Sequence, residues 1–416
     1  MTKPLLNEGQ PTHVRRYVFA LACGTSWLLY LHRYLFALIK PQLAEQWDLG
    51  KDDLGYLDSA FSIAYTGFQI PLGVAADFIG VHLVLTSMIV VWSIAIGMHA
   101  WAPTTSLMSV ARATLGLGQS AVFAAQSRIT RTWFPSSVRT TVQGWMGVFF
   151  GRFGGLSANL LIGAVLLGIF AIPWRTVAYV LMGVGIAHAF VFGLVFRNSP
   201  KRHPAVNDAE ASLIADEDMS TKSAAKKSRV GFRQMFREMK PCAIVNLLAL
   251  NVQTILSTVA DNIFSAWIPL FLWEVHDLRF KEMGFLSSLP LLGGALGGAA
   301  GGWLNDQMIR RTKNRRWSRR LVGLTGKGIA GALLLVSLLW YESPQYFCGM
   351  LFFVKFFSDW SLTTTWGTVT DIGGSKSASV FAFNNSVAGI GAIAAPAIYG
   401  NIAEYVNWTS VFLTAA

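Results

Sequence analysis

Residues 82–102 read HLVLTSMIVVWSIAIGMHAWA, 21 residues without one aspartate, glutamate, lysine or arginine. A helix rises 1.5 Å per residue, so about 20 apolar residues cross roughly 30 Å of hydrocarbon. A barrel strand would alternate apolar and polar side chains over about ten residues, and this run does not alternate. Comparable runs lie at 17–40, 54–79, 105–133, 140–171 and 175–196, and after a polar stretch at 241–273, 282–308, 319–341, 344–371 and 376–404. A twelfth begins at Trp408 and stops at Ala416, far short of a crossing, so the native chain is expected to continue.

The composition agrees. Of 416 residues, 53% are hydrophobic and only 13% charged, too few charges to cover a soluble protein of this length. A net charge of +12 on a soluble protein would suggest nucleic acid. Here the basic residues lie between the apolar runs, which points to a lipid bilayer and not to a nucleic-acid partner. Cys23, Cys242 and Cys348 have neither metal-ligand nor disulfide-framework spacing and read as small core residues. The first run is too long for a cleavable signal and carries Arg33.

The stretch 197–240 contains SPKRHP, acidic DAEASLIADED and basic KSAAKKSR, and reads as a solvated linker between two six-helix halves, 1–196 and 241–416. Lysines and arginines divide 24 to five between the two sides, with five more inside spans. That asymmetry puts the N-terminus and the linker in the cytoplasm, in a multi-pass protein of the inner or plasma membrane. The halves also repeat. Gly73-Val-Ala-Ala-Asp77-Phe-Ile-Gly80 follows the second span, and Gly302-Trp-Leu-Asn-Asp306, then Arg310-Arg311, follows the eighth. The two Gly-x-x-x-Asp copies, at the same point of each half, indicate duplication.

These features resemble the major facilitator superfamily over essentially the whole chain. The segment 73–80 resembles its loop signature, although Phe78, Val81 and His82 stand where the family prefers basic residues. The resemblance implies that Asp77 and Asp306 hold neighbouring helices together, with Arg139 as partner in the first half. Within the superfamily the chain looks like the anion:cation symporters, which include galactonate and hexuronate carriers, sialin and vesicular glutamate carriers. The residues that carry this are Tyr30-Leu-His-Arg33, Ser59-Ala-Phe-Ser-Ile-Ala-Tyr65, Gln69-Ile-Pro71, Arg112 with Gly116, Trp133-Phe-Pro135, Trp267-Ile-Pro269, Trp366 with Asp371-Ile, Asn385 and Pro396. Asp53-Leu-Gly-Tyr56, Ser62-Ile-Ala-Tyr65, and Gln119 followed by Arg128 and Trp133 resemble the organophosphate:phosphate antiporters instead. Their seventh-helix arginine falls on Asp261 here, which argues against a two-arginine phosphate clamp.

Ionisable groups inside spans are functional candidates, because each costs roughly 2.5 kcal/mol or more on insertion scales. Arg33, one turn from Tyr30, offers a fork that matches a carboxylate or phosphate bidentately. Arg152, in Gly151-Arg-Phe-Gly-Gly155, is a candidate second anion contact. Arg112 lies seven residues before Gln119, so the two share a face, and Arg112 stays open between structural and functional roles. The resemblance implies a proton-coupling acid where Gln119 stands, and an aspartate where His32 stands. With both acids missing, Asp58, on the face of Tyr65, is the expected replacement, beside a histidine able to titrate near neutral pH. Its competing reading is a simple pair with a base near the outer end. Asp261 reads as a helix pair or a coupling acid, and Lys355 with Asp359 as an i,i+4 ion pair, a gate or a second charge site. Lys327, two turns from a basic loop, reads as snorkelling, and His188 as packing.

The run Gly293-Gly-Ala-Leu-Gly297-Gly-Ala-Ala-Gly301 mimics a nucleotide loop, but it lies within an apolar span and reads as helix packing. No Walker signature, zinc spacing or hydrolase elbow is present, so neither an enzyme nor an ATP-driven pump is expected, and no cofactor or metal. The expectation is an all-α membrane protein of the major facilitator fold, monomeric, moving a small organic anion such as a sugar acid by alternating access with protons. Tyr30, Tyr65, Trp267, Trp366, Asn385 and Gln119 are expected to shape the pocket around Arg33. Three alternatives remain: an exchanger using a counter-anion, an exporter of an amphiphilic metabolite, and a ligand sensor that transports nothing.

Overall fold

A computed structural model describes residues 10–135, 138, 142–213, 241–362, 364–365, 368–369 and 377–416. The described part of the first half is built from α1 (Val14–Trp47), α2 (Lys51–Phe78), α3 (Val81–Trp101), α4 (Thr105–Ser120), α5 (Val122–Trp133), α6 (Phe150–Ser157) and α7 (Trp174–Val195). α4 and α5 form one span that breaks at Ala121. α6 sits between two wider π-helical segments, Gly144–Phe149 and Ala158–Ile169, within the fifth span. The second half is built from α8 (Pro241–Ala266), α9 (Ile268–His276), α10 (Phe280–Thr312), α11 (Arg315–Ser337), α12 (Pro344–Trp360), α13 (Ser377–Tyr405) and α14 (Trp408–Ala415). The seventh span expected at 241–273 is therefore two helices with a break at Trp267, followed by Pro269.

Seven helical segments among the described residues are long and apolar enough to cross a membrane on composition alone, including Val81–Trp101, Trp174–Val195 and Phe280–Thr312. α1 and α2 are not among them. They are more polar because they carry His32, Arg33 and Lys40, and Asp58, Ser59 and Ser62. Large apolar side chains point outward, among them Phe190, Leu194, Leu248, Leu256, Leu324 and Leu339, as a lipid-facing surface requires.

Two features fix the frame. The first is backbone contact between α10 and α12. A Cβ at Gly293, Gly297 or Gly301 would run into the carbonyl of Phe352, Phe356 or Trp360, respectively. These glycines recur every four residues, so one bare face of α10 lies along α12 for two turns. The second is the turn between α2 and α3. Gly80 has φ 103° and ψ 146°, a conformation costly for any residue with a Cβ, and Asn198 fills the space beside it while accepting from the His82 amide at 2.8 Å.

Near the N-terminus, Asp77 pairs with Arg128 of α5. The expected partner Arg139 lies outside the described residues. Asp306 is exposed and makes no ion pair among the described residues, so the two repeated loops are not equivalent in their contacts. At the end away from the N-terminus and linker, the halves meet tightly. Gly55 of α2 packs on the backbone of Pro396 and Ala397, Gly400 packs on Lys51, and Gly163 packs on Gly284. Lys51 bridges Glu274 and Glu404, each at 3.4 Å. Tyr405 donates to Asp52 at 3.2 Å, and Trp273 to Glu45 at 3.1 Å. Every hydrogen bond between the halves among the described residues lies at this far end or near mid-helix.

The segment after α7 returns to the start of the chain. α1 has no side-chain cap of its own, and its first amides are orphan donors. Buried Glu210 supplies the acceptors: Val14 N donates at 3.0 Å, Arg15 N at 2.9 Å and the Thr12 hydroxyl at 2.6 Å. Burial pushes this carboxyl up, but the bonds from Thr12, Arg15 and Val14 outweigh it and hold the group below the usual glutamate range. A depressed acid stabilises the folded state above its unfolded value, and that contribution fades as pH falls through the folded value. Glu210→Gln is expected to destabilise the protein by about 1 kcal/mol at pH 7 and by progressively less toward acid pH. Thermal unfolding of both proteins across that range checks this, and an equal gap at every pH would contradict it.

Candidate functional site

Arg33 projects from the middle of α1 into a cage of rings. Its guanidinium carbon stands 5.0 Å from the Tyr30 ring centre, 4.9 Å from Phe61 and 5.0 Å from Tyr65. Such faces stabilise a cation without neutralising it. Nε donates to the Gln119 side-chain oxygen at 3.1 Å, and the Gln119 amide donates to Leu29 O at 3.0 Å. Gln119 therefore aims the guanidinium and adds no charge. Nη2 is buried and makes no hydrogen bond among the described residues. The absence of an acid at position 119, which reads in the sequence as a lost coupling group, leaves the Arg33 charge unspent.

One turn or two toward the far end lies a buried triad. Asp58 of α2 pairs with Lys40 of α1 at 2.5 Å and with Arg112 of α4. Lys40 also donates to Ala266 O at 2.9 Å and sits 3.9 Å from the Trp267 ring centre. Arg112 lies 4.2 Å from the Phe36 ring and donates from Nε to Leu57 O at 3.3 Å. Lys40, the last residue of the apolar run 17–40, is thus an interior base, because α1 continues through Pro41 to Trp47. Trp267 is fully buried over Lys40 and against Trp408, with ring centres 6.2 Å apart, so it closes the far end and does not line an open pocket.

A second network joins the halves. Arg152, beside α6's close contact with Tyr30 at Gly151, pairs with Asp359 at 2.9 Å and with Asp261 at 3.5 Å. Lys355 pairs with Asp359 at 2.6 Å and also with Asp261. The i,i+4 pair expected on α12 is present, but within a four-residue cluster drawn from α6, α8 and α12. Gly294 makes room for it, since a Cβ there would meet the side chains of Asp359 and Lys355. This cluster borders a cavity of about 140 Å³ whose wall includes the amides and hydroxyls of Gln253, Ser257, Thr365, Asn384 and Asn385, together with Leu362. Asn384, the neighbour of Asn385, is buried and donates to Asn251 at 2.8 Å and to Thr254 at 3.1 Å; no motif in the sequence marks it.

Other expected residues lie elsewhere. His32 is fully buried on the opposite side of α1, with its ring against Gly185 of α7, away from Arg33. His188 has a partner after all, the Thr25 hydroxyl at 2.9 Å. Lys327 does not snorkel. Its ammonium donates to Ser358 at 3.1 Å and lines the same cavity. Trp366 lies outside the described residues. Among the described residues the site gathers six bases, Arg33, Lys40, Arg112, Arg152, Lys327 and Lys355, and three acids, Asp58, Asp261 and Asp359.

Comparison with known proteins bears on this arrangement. The chain matches the family model of the Major Facilitator Superfamily over residues 22–315 and again over 250–416. It is 25% identical over 396 residues to a "Probable sulfoacetate transporter" of Cupriavidus necator, covering 95% of this chain and 89% of the relative. It is 26% identical to a "Probable galactarate/D-glucarate transporter" of Bacillus subtilis, covering 97% and 88%, and 24% identical to a "D-galactonate transporter" of Escherichia coli, covering 96% and 91%. Among solved structures, a bacterial homologue of the human lysosomal transporter Spinster, inward-facing and unoccupied, superposes with a TM-score of 0.75 at 18% identity over 97% of this chain and 83% of that one. A D-xylose-proton symporter superposes with a TM-score of 0.70 at 12% identity over 96% and 94%.

The buried triad carries its own prediction. Removing one member of a buried ion pair strands the other, at a cost of about 3–5 kcal/mol. Asp58→Ala strands two bases, so thermal unfolding in detergent is expected to show a large loss of stability. Adding Lys40→Met to Asp58→Ala should recover part of it. Additive losses in the double variant would mean that the three residues do not act as a unit.

Proposed function

We propose that this chain, which belongs to the major facilitator superfamily of membrane transporters and resembles its anion:cation symporters, carries a small organic anion of the sugar-acid class by alternating access, with Arg33 as the group that engages the anion. The observation that carries this is the buried, unbonded Nη2 of Arg33 inside its aromatic cage. A charge left unpaired in hydrocarbon is expensive, and an anion entering the cage completes it. Tyr30 and Tyr65 present hydroxyls at the edge of the same cage, and Gln119 fixes the fork so that little entropy is lost on binding. Relatives named as galactonate, galactarate and glucarate carriers support the sugar-acid class, and one named as a sulfoacetate carrier supports the wider class of small organic anions.

The lysine and arginine asymmetry supports placing the N-terminal end in the cytoplasm. With that orientation the sealed far end is periplasmic or extracellular, and the conformation is inward-facing. Substrate then reaches Arg33 from the cytoplasmic side, and the opposite state requires the contacts of Lys51, Glu274, Glu404 and Lys40 to break. Symport would use Asp58 or Asp261 as the coupling acid; Asp261 links α8 to Arg152 of the first half and to Lys355, and Asp58 links α2 to Lys40 and Arg112. Exchange without protons is the second reading. It is favoured by one observation: Asp58, Asp261 and Asp359 are each held by two bases. Liposome uptake driven by an inward proton gradient supports symport, and counterflow indifferent to that gradient supports exchange.

Arg33→Gln is expected to abolish saturable binding of sugar acids to the purified protein while leaving its unfolding temperature close to wild type. Full affinity in that variant would refute the assignment. Gln119→Glu keeps the shape and adds a negative charge within hydrogen-bond reach of Arg33. A charge pair at about 4 Å is worth roughly 4 kcal/mol at an effective dielectric of 20, so affinity at pH 7 should fall at least tenfold. Titration calorimetry measures both variants.

A further inference from the structure

Lys327, like Arg33, is an interior base that no acid among the described residues claims. Arg152 and Lys355 take up Asp359 and Asp261, and Lys40 and Arg112 take up Asp58. Lys327 of α11 has one hydrogen bond, to the neutral Ser358, and no ion pair among the described residues. Its ammonium stands in the wall of the 140 Å³ cavity, among groups that suit a hydroxylated ligand: Gln253, Thr254, Ser257, Thr258, Asn384 and Asn385. The carboxylates of Asp261 and Asp359 border the same space and would repel an anion if free. Each is already bound by Lys355 and Arg152, at 2.6 Å and 2.9 Å for Asp359, so Lys327 presents the uncompensated charge.

The two uncompensated bases belong to opposite halves. Arg33 rests on the Tyr30 ring, Gly151 packs against the same ring, and the next residue, Arg152, borders the cavity of Lys327. A ligand in contact with both would therefore lie across the seam between the halves. We infer that Lys327 is a second anion subsite and that the substrate is a dianion, with one charged group on Arg33, the other on Lys327, and hydroxyls along the amide and hydroxyl wall between them. The inference rests on the reading of Arg33 as the first anion contact. A dianion would remove two of the three surplus positive charges among the described interior residues, where a monoanion removes one. It would also tie the two halves together, so a monoanion of equal length would bind more weakly.

The test is titration calorimetry of the full purified chain with galactarate, which carries a carboxylate at both ends, and galactonate, the same six-carbon chain with one. The readout is the ratio of the two affinities. Wild type is expected to favour galactarate at least tenfold. Lys327→Gln should collapse that ratio to about one to three, through loss of galactarate affinity, and Lys327→Arg, which keeps the charge, should retain a clear preference. Equal affinities in wild type, or an unchanged ratio in Lys327→Gln with both proteins folded by thermal unfolding, overturns the second subsite. Arg33→Gln separates the two claims. Loss of both anions there, with the ratio intact in Lys327→Gln, leaves the first anion contact standing and removes only the second. Retention of both anions in Arg33→Gln, or no binding of either by wild type, overturns the sugar-acid carrier reading and this inference with it.

Discussion

Charge cannot be left bare in hydrocarbon, and the rest of this structure is arranged around that rule. Six bases and three acids sit among helices that otherwise expose leucine, isoleucine and phenylalanine to lipid. Where a base and an acid meet, they fasten helices together. Asp58 joins α1, α2 and α4 through Lys40 and Arg112, and Lys40 reaches on to the carbonyl of Ala266 in the other half. Asp261 and Asp359 join α6, α8 and α12 through Arg152 and Lys355. Where a base finds no acid, as at Arg33, it is held by ring faces and one neutral amide. The structural and the ligand-seeking charges are separated by that difference in partners.

The same logic gives the conformational state its asymmetry. At the far end, small residues let backbones touch, as at Gly55 against Pro396 and Gly163 against Gly284, and ion pairs of Lys51 with Glu274 and Glu404 surround those contacts. These pairs are partly exposed, and exposed pairs contribute little individually, so they suit an interface that must open. The bare face of α10 against α12 is of the other kind. Three glycines against three carbonyls permit no sliding, and that contact lies within one half.

The helical spans and their order were legible because apolar runs of about 20 residues are long, local signals. The glycine run of α10 was legible for the same reason. What failed depended on contacts between residues far apart in the chain. Lys40 stands at the very end of an apolar run, and only the continuation of α1 through Pro41 buries it. The partners of Asp58 come from α1 and α4, and those of Asp261 from α6 and α12. No spacing within α2 or α8 encodes them. Arg128 holds Asp77, because α5 returns past the end of α2. His32 follows Leu31 and precedes Arg33 in sequence, but successive side chains on a helix point about 100° apart, and this one faces α7. The sense of Gln119 also inverted in three dimensions: a missing acid in the sequence is, beside Arg33, a neutral group that orients a cation.

The account turns on where an anion goes. A structure of the protein saturated with a sugar acid tests it most directly, by locating the ligand carboxylate. The account predicts carboxylate oxygens within hydrogen-bond distance of Arg33 Nη2, inside the rings of Tyr30, Phe61 and Tyr65, with the Asp58 triad still closed. An anion seated on Lys40 or Arg112, with Asp58 displaced and Arg33 Nη2 still unbonded, would contradict it.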